Sequence, residues 1–225
     1  MLMVRPGLRV RQGPIDSKLG TSGRVLIEGC GKLGKTIFAG GPLQFRRHGY
    51  NGGVSFNVRD FQPADFDTLW RIDQTCFAAG ISYSRTELRL YMRRRGAFTL
   101  VAVGGVPGAI GADSGKAGKA IPAGFSAEGG VAGFIVGEAG ARARGHIITI
   151  DVIAEARRFG VGSLLLRAAE DRLISGGCRL VELETAVDNI SALSFYKRHK
   201  YSVTRTYPAY YSNGVDALVL EKTLV

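Results

Sequence analysis

The stretch His146-Ile147-Ile148-Thr149-Ile150-Asp151-Val152-Ile153-Ala154-Glu155-Ala156-Arg157-Arg158-Phe159-Gly160-Val161-Gly162-Ser163 decides the fold. Its first half is a nearly continuous apolar run rich in β-branched residues, as an inner strand covered on both faces requires. Its second half is glycine-rich, and Ser163-Leu164-Leu165-Leu166-Arg167-Ala168-Ala169 then begins a helical pattern. A helix start leaves its first amides unpaired, with partial positive charge. Glycines at 160 and 162 keep side chains away from those amides, and Arg157 and Arg158 add full charge, so the turn reads as a phosphate or diphosphate cradle. The plain alternative is an ordinary strand-to-helix turn with two solvated arginines.

Working outward, Leu165, Leu166, Ala169, Leu173 and Ile174 give the following helix an inner face, and Gly176-Gly177 ends it. Cys178–Ala186 reads as a strand, and strand–helix–strand implies a parallel pair joined by a right-handed crossover. Asp188-Asn189 caps a helix running to about His199. Tyr201–Tyr207 and Val215–Thr223 are two closing antiparallel strands.

Upstream, Val54–Arg59 alternates apolar and polar, and Pro63-Ala64-Asp65 opens a helix buried through Phe66, Leu69, Trp70, Ile72 and Phe77. Ser84-Arg85-Thr86-Glu87 has capping-box spacing for a second helix, closed by Arg93-Arg94-Arg95. Phe98–Val103 and Val131–Gly137 are strands on either side of a Gly/Ala-rich stretch, 104–130, read as a long flexible loop insertion. The order β-α-α-β-β-β-α-β-α-β-β describes an α/β (α+β) fold, a mixed central sheet of six to seven strands flanked by four helices.

Composition bounds the function. The chain has 225 residues and a net charge of +11, of which residues 1–53 hold +7, from nine Lys/Arg against two Asp/Glu. The remainder is only mildly basic, which suits a polyanionic cofactor as well as it suits a nucleic acid; no direct nucleic-acid binding and no membrane partner are expected. Three widely spaced cysteines argue for reduced thiols in the cytoplasm and against a disulfide framework or a metal site. Residues 1–53 read as a flexible basic leader preceding a domain at 54–225. The native start is expected near Val54, and peptides from residues 1–50 in the native protein would reject that. Within the leader, Gly29-Cys30-Gly31-Lys32-Leu33-Gly34-Lys35-Thr36 fits the nucleotide P-loop pattern. Gly40-Gly41-Pro42 then stops any helix within about one turn, so a phosphate-holding helix is not expected there.

A second motif lies downstream. Glu184 stands near the carboxyl end of its strand, where open α/β sheets place ligands. Asn189 and Tyr196 are two helical turns apart and project from one side of a helix. Together with Ala192 these residues are similar to the pattern E-x-x-x-x-N-x-x-A-x-x-x-Y of the GNAT superfamily of N-acetyltransferases. Arg157-Arg158-Phe159-Gly160-Val161-Gly162 resembles that superfamily's R-x-x-G-x-G loop. The likeness covers residues 54–225 and is nearest to the RimI-type ribosomal-protein alanine N-acetyltransferases, which the Cys76–Leu88 segment and the Tyr207, Tyr210, Tyr211 tail also resemble.

The resemblance implies an acetyl-CoA-dependent acyltransferase without a metal. Glu184 would be the base for an attacking amine and Tyr196 the acid for the departing thiolate. Main-chain groups of Ile150, Asp151 and Val152 would pair with the pantetheine arm. The loop Arg157, Arg158, Phe159, Gly160, Val161, Gly162 and Ser163 would hold the diphosphate, and Asn189 would steady the cofactor. The implied acceptor is the N-terminal alanine of a small-subunit ribosomal protein, bound between the Ala78–Ser84 and Tyr207–Gly214 loops; a small amine or a lysine side chain is the alternative. Three departures stand out: Ala154 where proline is frequent, Lys200-Tyr201 where Gly-Phe is usual, and the 104–130 insertion.

Overall fold

The computed structural model describes residues 55–77, 82–105, 130–211 and 213–224. The leader with its P-loop-like sequence, most of the 104–130 insertion and residues 78–81 of the acceptor-side loop lie outside the described residues.

Seven strands form one sheet: β1 (Ser55–Asp60), β2 (Ala97–Gly105), β3 (Val131–Ala139), β4 (Arg144–Val152), β5 (Leu180–Ala186), β6 (Ser202–Tyr207) and β7 (Ala217–Thr223), in spatial order β1-β2-β3-β4-β5-β7-β6. The helices are α1 (Phe66–Cys76), α2 (Arg85–Met92), α3 (Val161–Ser175) and α4 (Ile190–Arg198). Only β4 and β5 run parallel, joined through α3; every other neighbouring pair is antiparallel. The expected element order holds. Placement of β7 between β5 and β6 is a register fact that the sequence pattern does not carry.

Local chemistry sets the helix ends. Ser84 caps α2, accepting from Glu87 N at 3.2 Å while the Glu87 carboxylate accepts from Ser84 N at 2.8 Å. Asp73 in α1 accepts from Tyr83 N at 2.7 Å, and Trp70 Nε1 donates to Tyr83 O at 3.1 Å, so α1 holds the segment that leads into α2. Trp70 itself is half-buried rather than core, with the Arg85 guanidinium 4.3 Å from its ring centre.

The sheet separates two apolar clusters. One, on the α3–α4 face, joins Ile147 and Ile150 to Leu165, Leu166, Ala169, Leu173, Leu183, Phe195 and Tyr196. The other joins Ile148 to Phe66, Leu69, Ile72, Leu88, Val101, Phe134 and Val136 under α1 and α2. A bulge opposite Val136 and Gly137 leaves Ile148 without a register partner, which lets Ile147 and Ile150, three residues apart, share one face while Ile148 serves the other. The inner face of α3 is as expected except at Ile174, which is 45% exposed. The buried stripe follows 165, 166, 169 and 173, and position 174 falls about 100° round the helix from it.

After α4 the chain turns through Lys200, whose φ of 68° is a left-handed conformation. A lysine there bears a backbone cost that glycine avoids. Lys200→Gly should therefore raise the unfolding free energy by about 1 kcal/mol in urea titrations; no gain would mean that the turn is not strained.

Candidate active site

The parallel ladder between β4 and β5 covers only Arg144–Leu180, Gly145–Val181 and His146–Glu182. Beyond it the strands part. β4 from Ile147 to Val152 keeps β3 on one side, and β5 from Leu183 to Ala186 keeps β7 on its far side. Among the described residues, the β5-facing main-chain edge of β4 beyond His146 has no strand partner. A wedge results, and Ile150, Asp151 and Val152, the residues expected to pair with an extended ligand, lie along its wall. One group there is already engaged: Val152 O accepts from Arg157 Nε at 3.0 Å.

At the mouth of the wedge the chain makes a 3-10 turn at Ala154–Ala156 and enters α3 through two left-handed residues, Arg158 (φ 65°) and Gly160 (φ 87°). Alternating backbone hand turns successive amides toward one concavity, a nest suited to an anion. The first helical hydrogen bond runs from Leu164 N to Gly160 O at 2.9 Å, so the amides of Val161, Gly162 and Ser163 precede the helical ladder. A Cβ at Gly160 would meet nothing within 4 Å; the positive φ is what calls for glycine there. Arg158 is exposed, whereas Arg157 turns inward. Besides binding Val152 O, Arg157 places an NH2 group 3.7 Å from Cys76 Sγ, and its amide donates to Ala154 O. Its charge ties β4 to the end of α1 instead of lining the cradle.

Three polar atoms at the β5–α4 junction are buried with no hydrogen-bond partner among the described residues: Thr185 Oγ1, Asn189 Nδ2 and Tyr196 OH. Asn189 caps α4 through its other terminus, Oδ1 accepting from Ala192 N at 3.2 Å, so its amide nitrogen remains to donate. Orphaned buried donors are costly, and a run of them beside an open strand edge fits a site for a polar extended ligand. Tyr196 is fully buried, and burial, then the charges of Asp151 and Tyr211, push its phenol well above the usual tyrosine range. It stays protonated.

Glu184 projects from β5 on the face opposite Leu183, next to Ala186 and Glu182. Its Oε2 is 2.8 Å from His146 Nε2, and the imidazole's Nδ1 is 3.9 Å from Glu138 Oε1. A row of carboxylate, imidazole and carboxylate thus crosses β3, β4 and β5. Burial disfavours the imidazolium, but hydrogen bonds to Glu138 and Glu184 outweigh it and raise His146 to about 9. Glu184 Oε1 has no partner among the described residues. His146 carries no signal in the sequence. Its pairing depends on the Glu138–His146 register and the diagonal to Glu184, which only the sheet supplies. Ser163, assigned to the cradle, also binds a residue that the sequence did not single out, its Oγ lying 2.9 Å from His199 Nε2.

Comparison with known proteins agrees with this geometry. Residues 114–201 match the Acetyltransferase (GNAT) family. That stretch of the chain is similar to a GNAT acetyltransferase domain. An uncharacterized N-acetyltransferase of Methanocaldococcus jannaschii is 35% identical over 96 residues, 42% of this chain and 61% of that protein. N-alpha-acetyltransferase 30 of Schizosaccharomyces pombe is 36% identical over 78 residues, 35% of this chain and 52% of that one. The chain thus spans little more than half the length of these relatives.

Among solved structures, Ard1 from Thermoplasma volcanium superposes with a TM-score of 0.60 at 25% identity, covering 76% of this chain and 98% of that one. The ribosomal-protein-S18-alanine N-acetyltransferase from Escherichia coli gives 0.57 at 16% identity over 76% and 94% of the two chains. NAA60 of Arabidopsis thaliana in complex with acetyl-CoA gives 0.58 at 19% identity over 76% and 99%. The last two likenesses are of fold. The described residues have the expected mixed sheet and four helices.

The row on the sheet face has a pH signature. His146 is raised from 6.5, so its contribution to stability is complete below 6.5 and is lost as pH rises through about 9. Glu138 is lowered, first by its hydrogen bond to His146, so its contribution is present above the usual carboxylate range and is lost as pH falls through the lowered value. Between pH 6.5 and 9.5 the wild type should lose on the order of 2–3 kcal/mol of unfolding free energy that a His146→Gln variant does not lose. Parallel stability curves for the two proteins would contradict the pairing.

Proposed function

We propose that the GNAT domain transfers an acetyl group from acetyl-CoA to the N-terminal amine of a protein, and that its acceptor is the N-terminal alanine of a small-subunit ribosomal protein. The observation that carries the transferase reading is the wedge: an unpaired β4 edge, nested amides at its mouth and the orphaned Asn189 and Tyr196 donors on its wall.

Acetyl-CoA supplies an activated acetyl thioester. The β4 edge at Ile150–Val152 offers main-chain partners to an amide-bearing arm, as an added strand would. The amides of Val161, Gly162 and Ser163, with Arg158, hold a diphosphate. Asn189 Nδ2 donates to the arm. Glu184 Oε1 accepts the proton that the acceptor amine loses as it attacks, and the protonated Tyr196 phenol donates to the departing sulfur. With Glu138 and His146 the base belongs to a row of net charge −1, which the arriving proton brings to zero.

The single carboxylate favours an N-terminal amine. An α-amine titrates near 7.7–8.0 and a lysine near 10.4, so freeing a lysine amine at neutral pH costs about 3 kcal/mol more. The ribosomal alanine acceptor is supported by the Glu184–Asn189–Tyr196 spacing and its likeness to the RimI type. A cytoplasmic location accords with that acceptor and with the reduced, buried thiols of Cys76 and Cys178.

Acetyl transfer should be measured against peptides beginning with the N-termini of small-subunit ribosomal proteins, lysine peptides blocked at the N-terminus, and polyamines. Transfer to free alanine N-termini is expected to dominate. Preference for lysine or polyamine would sink the acceptor assignment, and no transfer to any of them would sink the enzyme. Glu184→Gln should lower kcat by about 100-fold or more with KM for acetyl-CoA unchanged, and Tyr196→Phe should also lower kcat. Unchanged turnover in either variant removes that residue from the chemistry. Gly160→Val should abolish acetyl-CoA binding in calorimetry, because valine resists the left-handed backbone of the nest.

A further inference from the structure

Ser163 is the third residue of α3, and its hydroxyl is not free. The Oγ lies 2.9 Å from Nε2 of His199, the residue that ends α4. One hydrogen bond thus joins the opening turn of the cradle helix to the closing turn of the helix that carries Asn189 and Tyr196. The imidazole also rests on the Phe195 ring, 4.5 Å between centres.

The groups facing this imidazole are cationic. The charges of Arg167 on α3, Lys222 on β7 and Arg198 on α4 act on it, each disfavouring its protonation. The one carboxylate close by, Glu170 of α3, is already spent: it accepts from Lys222 Nζ at 2.6 Å and from Tyr201 OH at 2.9 Å. Burial first, then these three cations, hold His199 below its usual value, so it is neutral at pH 7. A neutral imidazole among arginines and a lysine, attached to a serine at a helix mouth, is poised for an anion.

The hydrogen-bond inventory shows what an anion would change. A hydroxyl has one hydrogen to donate. With His199 neutral and Nε2 accepting, Ser163 spends that hydrogen on the ring. Once the ring is protonated, Nε2–H donates to Ser163 Oγ instead, and the serine O–H is released toward the cradle. A phosphate dianion arriving there draws a proton onto the ring by its charge and gains both a cation and a hydroxyl donor.

We propose that Ser163 and His199 form a proton-coupled phosphate anchor: His199 takes up a proton as a phosphate-bearing ligand enters the cradle, and Ser163 turns its hydroxyl from the imidazole to the phosphate. The inference rests on the acetyl-CoA reading and adds a binding device to it. Its consequence is that ligand affinity falls as pH rises, by up to about tenfold per pH unit between the free and bound pKa values of the ring.

The test is calorimetry of CoA binding to the full chain at pH 7.0 in two buffers of different ionisation enthalpy, neither of them phosphate. The wild type should take up a clear fraction of a proton per CoA. His199→Gln, which keeps a side-chain amide within reach of Ser163, should bind more weakly and take up none. Imidazole signals followed by NMR should show His199 titrating below 6.5 in the free protein and at least one unit higher with CoA bound. Dephospho-CoA separates the two phosphate sources: retained uptake assigns the diphosphate, and lost uptake assigns the 3′-phosphate. CoA binding with the same proton uptake in wild type and His199→Gln, or with none in either, overturns the anchor and leaves the transferase reading intact. No CoA binding at all overturns both.

Discussion

Hydrogen bonding between β4 and β5 stops after three residue pairs, and most of the molecule's chemistry follows from that early stop. A parallel pair in a covered sheet would ordinarily continue for the length of the shorter strand, because unpaired main-chain groups in the interior are costly. Here β5 finds its ladder with β7 over its whole length, from Leu180 to Ala186, and β4 finds its own with β3. Each strand is satisfied on its outer side, and the sheet can therefore part down the middle without unravelling. The inner edges are left for a ligand that carries its own amides.

What holds the closed end of the split is ionic as well as hydrogen-bonded. Arg144 on β4 and Arg205 on β6 both reach Glu182 on β5 and Glu221 on β7, at 3.1 to 3.6 Å. The two glutamates on the inner strands β5 and β7 are bridged from both sides by the two arginines, and the four contacts close a ring. Isolated surface pairs are worth little, but a network of shared partners is a better case. Just inside the ring lies the Glu138–His146–Glu184 row. The two sets share one sheet face and grade from exposed arginines to an almost buried glutamate. The base thus sits just past the closed end of the wedge, two residues beyond the last β5 residue paired to β4.

Much of this was legible in the sequence, for reasons that can be named. The β4 run, the glycine-rich turn and α3 are local patterns, and local patterns survive into the structure with small shifts at their ends. Asn189 and Tyr196 could be paired from helical spacing alone. The missing glycine at Lys200 showed as a departure and reappears as a left-handed lysine. What was not legible depends on register. Nothing in the sequence places Glu138 across from His146, inserts β7 between β5 and β6, or brings His199 to Ser163 from 36 residues away. Arg157 is a subtler case. Its place in the loop suggests a phosphate ligand, but a guanidinium five residues beyond Val152 can also fold back on the strand it has just left, and it does.

The distribution of strain follows the same division. The core under α1 and α2 and the core under α3 are built from buried apolar side chains. The left-handed residues Arg158 and Gly160 cluster at the wedge mouth with the orphaned donors of Asn189 and Tyr196 close behind. Arg158 and each orphaned donor lower stability in the free protein by an amount on the order of 1–3 kcal/mol, whereas Gly160 adopts its conformation without that cost. They persist because two well-packed layers over-determine the backbone between them. A ligand that supplies acceptors to these donors recovers that energy on binding without having to reorganise the fold. On this view affinity in the wedge comes less from new apolar burial than from polar debts that folding left outstanding. The Ser163–His199 bond is the exception among them: it is a satisfied pair, and a ligand can gain from it only by changing its protonation.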